Sequence, residues 1–558
     1  MGTGMASEPL PEGYYLLNFQ TVLQDVQGRC GDLLRPGERE LAERFLALPV
    51  QARRLYVRML TRKGPWFRLD GLRYREIPDL GEALEGLRGA GFAAAREAAA
   101  PEDLLPLARK EEILGLLQDP PHARSMSRMD LAATLLARGG PALGPALAAA
   151  VPAAAPLHLD WARLMFLLFF GNGDQDLTDF ILADTGRVRF EAYPLDPGGR
   201  LFQSREDVDF LLALQGLRGA FESAARDGDL QALGRITDAL LAVCPHPGVR
   251  QQRRFHRLLN DLGLEWERRR EPDRALGCYA PSRLPPARER AARILAGRGR
   301  LHAAAERAAE MAAVPWDVGE ERFAHRFLRR LSRNENLAAA WVLTHPPPEP
   351  VPEVRLLLPG PRPGTVEQAA LEAARAEGWD GFFSENVLWR ALFGLALWEV
   401  LFAPVPGAFQ HRFQAAPADL EGPDFFLRRS GLVEARLARL AEPGAFAREV
   451  RAAAGAKRGI ANVFVNWRAL DPVWLERALD ALPGAAAVSV LAAMAPNPPA
   501  FASGFPDLFL FRPDPPRCRL WEVKGPGDAL RPGQERWLRH FNRAGIDARV
   551  ARVEYRQS

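Results

Sequence analysis

Toward the C-terminus, apolar residues run in short blocks at strand rhythm. GFPDLFLF begins with Gly and Pro and then turns apolar, which predicts a strand entered through a turn. RPDPPR predicts a turn. CRLWEVK, with Leu520 and Val523 apolar, predicts the next strand. So short a link predicts an antiparallel hairpin. GPGDALR is a Gly/Pro loop, and Pro532 opens a helix over GQERWLRHFNRAG. Trp537, Leu538 and Phe541 form its apolar side, and Gly545 is a natural stop. IDARVARVEY predicts the last strand.

Upstream, the rhythm is helical. Glu38–Leu48 and Gln51–Leu60 predict helices in a first unit, residues 1–85. The stretch TRKGPWFRLDGLRYREI that follows predicts a surface loop anchored by Trp66 and Phe67, with a nucleic-acid contact as the alternative. Residues 86–145 predict short helices around an apolar stripe of Leu104, Leu107, Ile113 and Leu116. The loop DPPHARSMSRM there carries Arg124 and Arg128, expected to touch DNA phosphates. This unit resembles the SAP module, with an ordinary helical hairpin as the competing reading. Residues 146–350 predict mainly helices, at 252–278, 286–297 and 301–311 among others, and one hairpin at VRFEAYPLDPGGRLFQ. Small residues recur on the helix faces, as close stacking requires. The array resembles a degenerate tetratricopeptide-type solenoid. HPPPEPVPEVRLLLPGPRPG marks a boundary, because its prolines break helices and remove donors. A last domain follows at 365–558.

Composition narrows this only a little. A chain of 558 residues with 47% apolar residues can bury several cores. The net charge of +4 mildly favours an acidic partner. Cys30, Cys244, Cys278 and Cys518 are widely spaced. They suggest neither a disulfide scaffold nor a cysteine zinc site, and they fit a reducing cytoplasm. The apolar segments Leu164–Phe170 and Val387–Phe402 are too short, or too interrupted by Arg390 and Glu399, to span a bilayer. Buried helices are expected there, and no membrane partner.

The chemistry concentrates in the hairpin. It puts Asp507 near the start of one strand and Glu522 near the end of its neighbour. Lys524, two residues further on, shares the Glu522 face. Two carboxylates and an ammonium meet, and oxygen ligands suit Mg²⁺ or Mn²⁺. Such a cation polarises a phosphodiester and lowers the pKa of a bound water. A lone ExK on a strand is usually a solvated edge. Here a PD before an apolar strand, an apolar-flanked ExK and a glycine-rich loop coincide. Just upstream, AAAGAKRGIANVFVNWRAL supplies Lys457, Arg458 and Arg468, expected on the DNA backbone if they are more than a surface loop. Asp471-Pro472 then opens a helix.

GFPDLFLF followed by WEVKGPGDALRPGQERWL resembles the VRR-NUC branch of the PD-(D/E)xK nucleases. The resemblance implies Asp507 and Glu522 as metal ligands, with the carbonyl of Val523, and Lys524 as the catalytic lysine. It also matches Gln534 to the glutamine that opens the following helix. EGWDGFFSENVLWRALFGLALWEVLF resembles the helix before the nuclease core in the Fanconi-associated nuclease 1 family, which makes Glu385 a further metal ligand. What this implies is a multidomain protein, mostly α-helical at first, ending in an α/β nuclease domain with a mixed central sheet. The implied activity is structure-specific phosphodiester hydrolysis, as a 5′ flap endonuclease and 5′–3′ exonuclease in interstrand crosslink repair. The expected partner is branched or flapped double-stranded DNA, gripped by a monomer in the cytoplasm, at the nucleoid when acting. The alternatives are a Holliday-junction-type resolvase and a non-catalytic branched-DNA-binding scaffold.

Overall fold

The computed structural model describes residues 12–62, 64–118, 123–172, 175–180, 188–195, 199–242, 249–333, 350–358, 365–421 and 423–555. The chain divides into two compact units, residues 1–189 with 200–205, and residues 190–199 with 206–558. In the first, the helices Tyr14–Cys30, Pro36–Ala47, Val50–Leu60 and Leu80–Gly89 close over an aromatic core. Phe19, Phe45, Tyr56 and Phe92 are all fully buried there. The stretch after residue 60 is not only loop. Phe67–Arg68 forms β1, which pairs with β3 (Ala153–Pro156) beside β2 (Ala93–Ala95). Arg68 is engaged by Glu112 and Asp70 rather than left for a nucleic acid. A second cluster, with Leu104, Ile113 and Leu131 at its centre, bears out the expected stripe, with Leu107 and Leu116 partly buried at its edge.

The second unit begins with stacked helices. Ala292, Ala304, Ala305, Ala308 and Ala324 are almost fully buried where these helices meet, which is why the sequence keeps small residues there. The helix expected over 252–278 is two helices, Val249–Arg268 and Pro272–Tyr279. Arg270 takes a left-handed φ of 62° between them, and Pro272 can start a helix but not continue one. No strand forms among the described residues of the hairpin expected at 188–203. Tyr193 there instead stacks on Phe409 at 3.9 Å.

Five strands then make a mixed sheet in the order β4-β8-β7-β6-β5: β4 (Glu353–Leu358), β5 (Asp380–Phe383), β6 (Leu508–Pro513), β7 (Pro516–Lys524) and β8 (Asp547–Tyr555). β6 and β7 form the expected antiparallel hairpin, and β8 lies parallel to both β7 and β4. β4 falls within the proline-rich stretch read as a boundary, so the sheet starts before residue 365. The reason is its place at the edge, where flanking prolines cost no ladder bond; the Pro352 carbonyl even accepts from the Val550 N–H. The helix Val366–Ala376 covers one face through Ala370, Leu371 and Ala374. The helices Leu388–Ala396 and Pro532–Arg543 cover the other, with Trp389, Trp537 and Phe541 fully buried. Each such side chain contributes on the order of 1.5–3 kcal/mol relative to exposure. The two apolar segments weighed as membrane spans are core helices. Among the described residues, no single helix is long and apolar enough to cross a membrane.

Candidate active site

Leu508 pairs with Trp521 across the hairpin. One step further along the ladder, Asp507 therefore faces Glu522. Asp507 is held on both its backbone and its side chain. The Ser384 N–H donates to its carbonyl at 2.8 Å, and the Val523 N–H donates to its Oδ2 at 2.7 Å. Ser384 Oγ donates to the Pro506 carbonyl at 2.9 Å, which fixes the approach to the strand. The preceding turn also needs close quarters: Gly504 has a φ of 81°, and a Cβ there would stand 2.9 Å from the Gly533 carbonyl carbon. The loop thus lies directly on the start of the Pro532–Arg543 helix. Phe505 stacks on Trp537 of that helix at 4.6 Å.

Glu522 is 1% exposed, and among the described residues no well-aligned hydrogen bond reaches either of its carboxylate oxygens. Lys524 Nζ stands 2.9 Å from Oε1 and forms an ion pair with it. Leaving a buried carboxylate so poorly satisfied is costly unless something else is meant to bind it. Burial, then the charge of Asp507, pushes Glu522 up to about 7 against the pull of Lys524. Burial also pushes Asp507 up to about 6, opposed by the Val523 N–H and reinforced by the carboxylates of Glu385 and Glu367. Acidic groups that repel one another into protonation are groups that a cation would discharge.

Glu385 stands in the turn after β5, three residues before the Leu388–Ala396 helix rather than in its first turn. Asn386 interrupts the chain there with a φ of 56°, and its Nδ2 donates to Glu385 Oε1 at 3.0 Å. Because β5 runs antiparallel to β6, its end lies beside the start of β6, where Asp507 is. Helical spacing does bury Leu388, Ala391, Leu392 and Leu395. Glu385 itself is exposed.

The remaining expected residues fall in different places. Gln534 Oε1 accepts from the Arg531 N–H at 2.9 Å and so closes the first turn of its helix. Lys457 Nζ is 2.6 Å from Glu191 Oε2 and is occupied with that partner. Arg458 and Arg468 are exposed. Their loop packs on the Leu388–Ala396 helix, where Asn462 Nδ2 donates to the Gly394 carbonyl at 3.4 Å. Arg124 and Arg128, in the first unit, are also exposed. Sequence reasoning missed Ser384 and Glu367. Ser384 carries no spacing signal. Glu367 lies in TVEQ, a helix-start pattern that does put an acid in the first turn.

Among the described residues, no three His, Cys, Asp or Glu side chains are gathered closely enough to hold a metal unaided. The donors that do meet are hard oxygens, two of them buried on Glu522 beside a single ion-pair partner, Lys524. That set fits a divalent cation completed by backbone, water or phosphate oxygens.

Comparison with known proteins gives the same answer over the whole chain. Residues 443–555 match the VRR-NUC domain, and residues 13–94 match the FAN1, HTH domain. The Fanconi-associated nuclease 1 homolog of Pseudomonas aeruginosa is 34% identical over 98% of this chain and 97% of its own. The Fanconi-associated nuclease 1 homolog of Oryza sativa is 28% identical over 99% of this chain, which spans 64% of that longer protein. A crystal structure of paFAN1 bound to 2nt 5′ flap DNA with gap superposes with a TM-score of 0.87 at 33% identity, covering 99% of this chain and 100% of that one. On this sequence, fold and site, the chain belongs to the Fanconi-associated nuclease 1 family and is a nuclease with a C-terminal VRR-NUC domain.

Proposed function

We propose that this nuclease cuts branched or flapped double-stranded DNA, as a 5′ flap endonuclease and 5′–3′ exonuclease, in interstrand crosslink repair. The observation that carries the reading is the buried Glu522 carboxylate, facing Asp507 and with Lys524 as its ion-pair partner. The substrate class is supported by the likeness to paFAN1, which has been crystallised with 5′ flap DNA. Asp507, Glu522 and the Val523 carbonyl would hold the cation, Mg²⁺ or Mn²⁺, with Glu385 beside them. When bound, it supplies Lewis acidity to the phosphodiester and lowers the pKa of a water.

The chain's own residues do the rest. Lys524 orients the attacking water and offsets negative charge growing on the phosphate. Its side chain is only 11% exposed, so that charge acts where bulk water screens it little. Ser384 and the Val523 N–H keep Asp507 in register. Gln534 holds the start of the helix on which the Asp507 loop rests. Arg458 and Arg468 are exposed cations on a loop of this domain upstream of the hairpin, and they suit the DNA backbone. Arg124 and Arg128 would serve a SAP-like module at 86–145, and the stacked helices would orient duplex arms. A reducing cytoplasm, with nucleoid DNA as target, fits the free thiols of Cys30, Cys278 and Cys518.

The test is cleavage of end-labelled flap, nicked, forked and four-way DNA, with Mg²⁺ or Mn²⁺ present and absent. Preference for the 5′ flap, dependent on metal, is expected. Preferred cutting of four-way DNA would favour a resolvase, and binding without cutting would favour a scaffold.

A further inference from the structure

The Pro532–Arg543 helix supports the approach to Asp507 with its first two turns. Gly533 lies against Gly504, Gln534 closes the first turn, and Trp537 Nε1 donates to the Ser503 carbonyl at 3.1 Å. Phe505 stacks on the same Trp537. Residues 503–505, two to four positions before Asp507, therefore take their place from this helix. Arg536 adds a hold slightly upstream, with its guanidinium 3.8 Å from the centre of the Phe501 ring.

Glu535, between these residues in sequence, is engaged by a different part of the chain. Its Oε2 stands 2.7 Å from Arg322 Nη1. Its other oxygen pairs with Arg539, one turn on in the same helix. Arg322 belongs to Val318–Leu331, the last described helix of the stacked array. Phe323, Ala324, Phe327 and Leu328 of that helix are buried against its neighbours in the array. Asp317 caps its start, since Oδ1 accepts from the Glu320 N–H at 2.8 Å. Both ends of the ion pair are thus carried on packed helices, and Glu535 is only 19% exposed. Such a pair adds little to stability. Its effect on geometry is larger, because a catalytic group displaced by about 1 Å can lose on the order of a hundredfold in rate.

We propose that Arg322 and Glu535 are positioning residues of the nuclease centre. Their ion pair sets the lie of the Pro532–Arg543 helix against the array, and the helix in turn places the loop that carries Asp507. This rests on Asp507 belonging to the centre. Two other roles for Arg322 make different demands. A phosphate contact changes DNA affinity and its salt dependence but not the rate at saturation. A purely structural contact changes the melting temperature alone.

The experiment is single-turnover cleavage of a 5′ flap by the full chain in Mn²⁺, read as the rate at saturating DNA, with DNA affinity in Ca²⁺ and a melting curve beside it. Arg322→Glu, which sets two carboxylates against each other, should lower the saturating rate about tenfold and leave affinity within about twofold. Arg322→Lys should stay near the parent, and Glu535→Lys added to Arg322→Glu should recover most of the loss. Arg329→Glu, exposed on the same helix, should cut like the parent at saturation. Should Arg322→Glu not fold, Glu535→Gln keeps the shape, removes the charge and is read in the same way. Asp507→Ala is the reference: if it cuts normally, the centre is misassigned and the proposal falls with it. If Asp507→Ala is inactive while both Arg322→Glu and Glu535→Gln keep saturating rates within twofold of the parent, the positioning role is overturned and the centre stands. A loss of rate that neither Arg322→Lys nor the reversed pair recovers, or a loss confined to DNA affinity, also overturns it.

Discussion

Among the described residues, two lysines stand at ion-pair distance from a glutamate. Lys457 is 2.6 Å from Glu191 and Lys524 is 2.9 Å from Glu522. The glutamates share a charge and a partner type but differ in everything else. Glu191 also accepts from Trp398 Nε1 at 2.6 Å and from the Ala192 N–H at 3.0 Å. Burial would raise its pKa, yet these donors hold it below the ordinary range. Glu522 is more deeply buried, has no aligned donor, and is pushed up to about 7. The first pair is complete as it stands and ties the chain together. The second is left incomplete at a cost in stability, which is what a binding site for a cation requires. A basic residue near a catalytic centre is therefore weaker evidence of function than a buried acidic residue that lacks the donors to hold its charge.

The sharpest way to break this comparison is to remove the carboxylate that the hairpin places opposite Glu522. Asp507→Ala should lower single-turnover cleavage of a 5′ flap by about a thousandfold or more, while DNA affinity in Ca²⁺ stays near that of the parent. Near-normal cutting by the purified variant would sink the assignment. Exchanging the lysines comes next. Lys524→Met should cost at least about a hundredfold in cleavage with little loss of melting temperature. Lys457→Met should do the opposite, keeping the rate and losing about 1–2 kcal/mol of stability, a figure reduced for the exposure of Lys457. If Lys457→Met instead weakens DNA binding without affecting melting, its partnership with Glu191 is secondary and the phosphate role expected from sequence returns.

Glu385 is a milder case, being exposed and, among the described residues, accepting a hydrogen bond from its neighbour Asn386. Glu385→Gln should fold normally and lose about tenfold in cleavage rate, a difference of about 1.4 kcal/mol at the transition state. The loss should shrink as Mn²⁺ is raised. A rate within twofold of the parent at every Mn²⁺ concentration would leave Glu385 a turn residue.

Titration gives a further test. The folded-state pKa values of Asp507, about 6, and Glu522, about 7, are raised above those of an unfolded chain. The folded metal-free protein therefore binds these protons more tightly than the unfolded one. The stability they contribute is fully present below the ordinary carboxylate range and is lost as pH rises through about 6 to 7. Glu522→Gln should flatten that part of the melting-temperature profile. Cations must displace the same protons, so apparent Mn²⁺ affinity should fall roughly tenfold between pH 8 and pH 6. An affinity independent of pH across that range would contradict the coupled pair.

Much of this site is legible in the amino-acid sequence, and the reasons are local. The hairpin joins Asp507 to Glu522 through a short turn, so alternation alone sets both residues and Lys524 on one face. The buried helix after Glu385 is legible from its spacing too. What sequence does not give depends on long-range registration. Asn386 bends the chain and moves Glu385 out of the helix. The partner of Lys457 lies far away in sequence at Glu191. β4 is hidden by its flanking prolines, which an edge strand tolerates and an interior strand would not.

The smallest expected effect concerns Arg124 and Arg128, where the comparison of satisfied and unsatisfied charge is subtler. Both are exposed. Arg128 Nη1 already lies 3.3 Å from the Leu105 carbonyl and 3.4 Å from those of Pro106 and Ala108. Carbonyls satisfy its donors without neutralising its charge, so a phosphate can still be drawn to it. Lys110 Nζ donates to the Arg124 carbonyl at 2.8 Å and holds the backbone there. Part of the preceding loop, residues 119–122, lies outside the described residues. Removing one phosphate-binding cation should flatten the dependence of log K on log salt by about one. The double Ala variant should therefore flatten it by about one to two, with cleavage at saturating DNA unchanged. Arg128→Lys separates charge from shape, since lysine keeps the charge and loses the guanidinium Nη1 that meets the three carbonyls. It should keep the salt slope and lower the melting temperature slightly. An unchanged slope in the double Ala variant would remove the DNA-binding role of this module, and its arginines would then belong, like Lys457, to the residues that hold the fold.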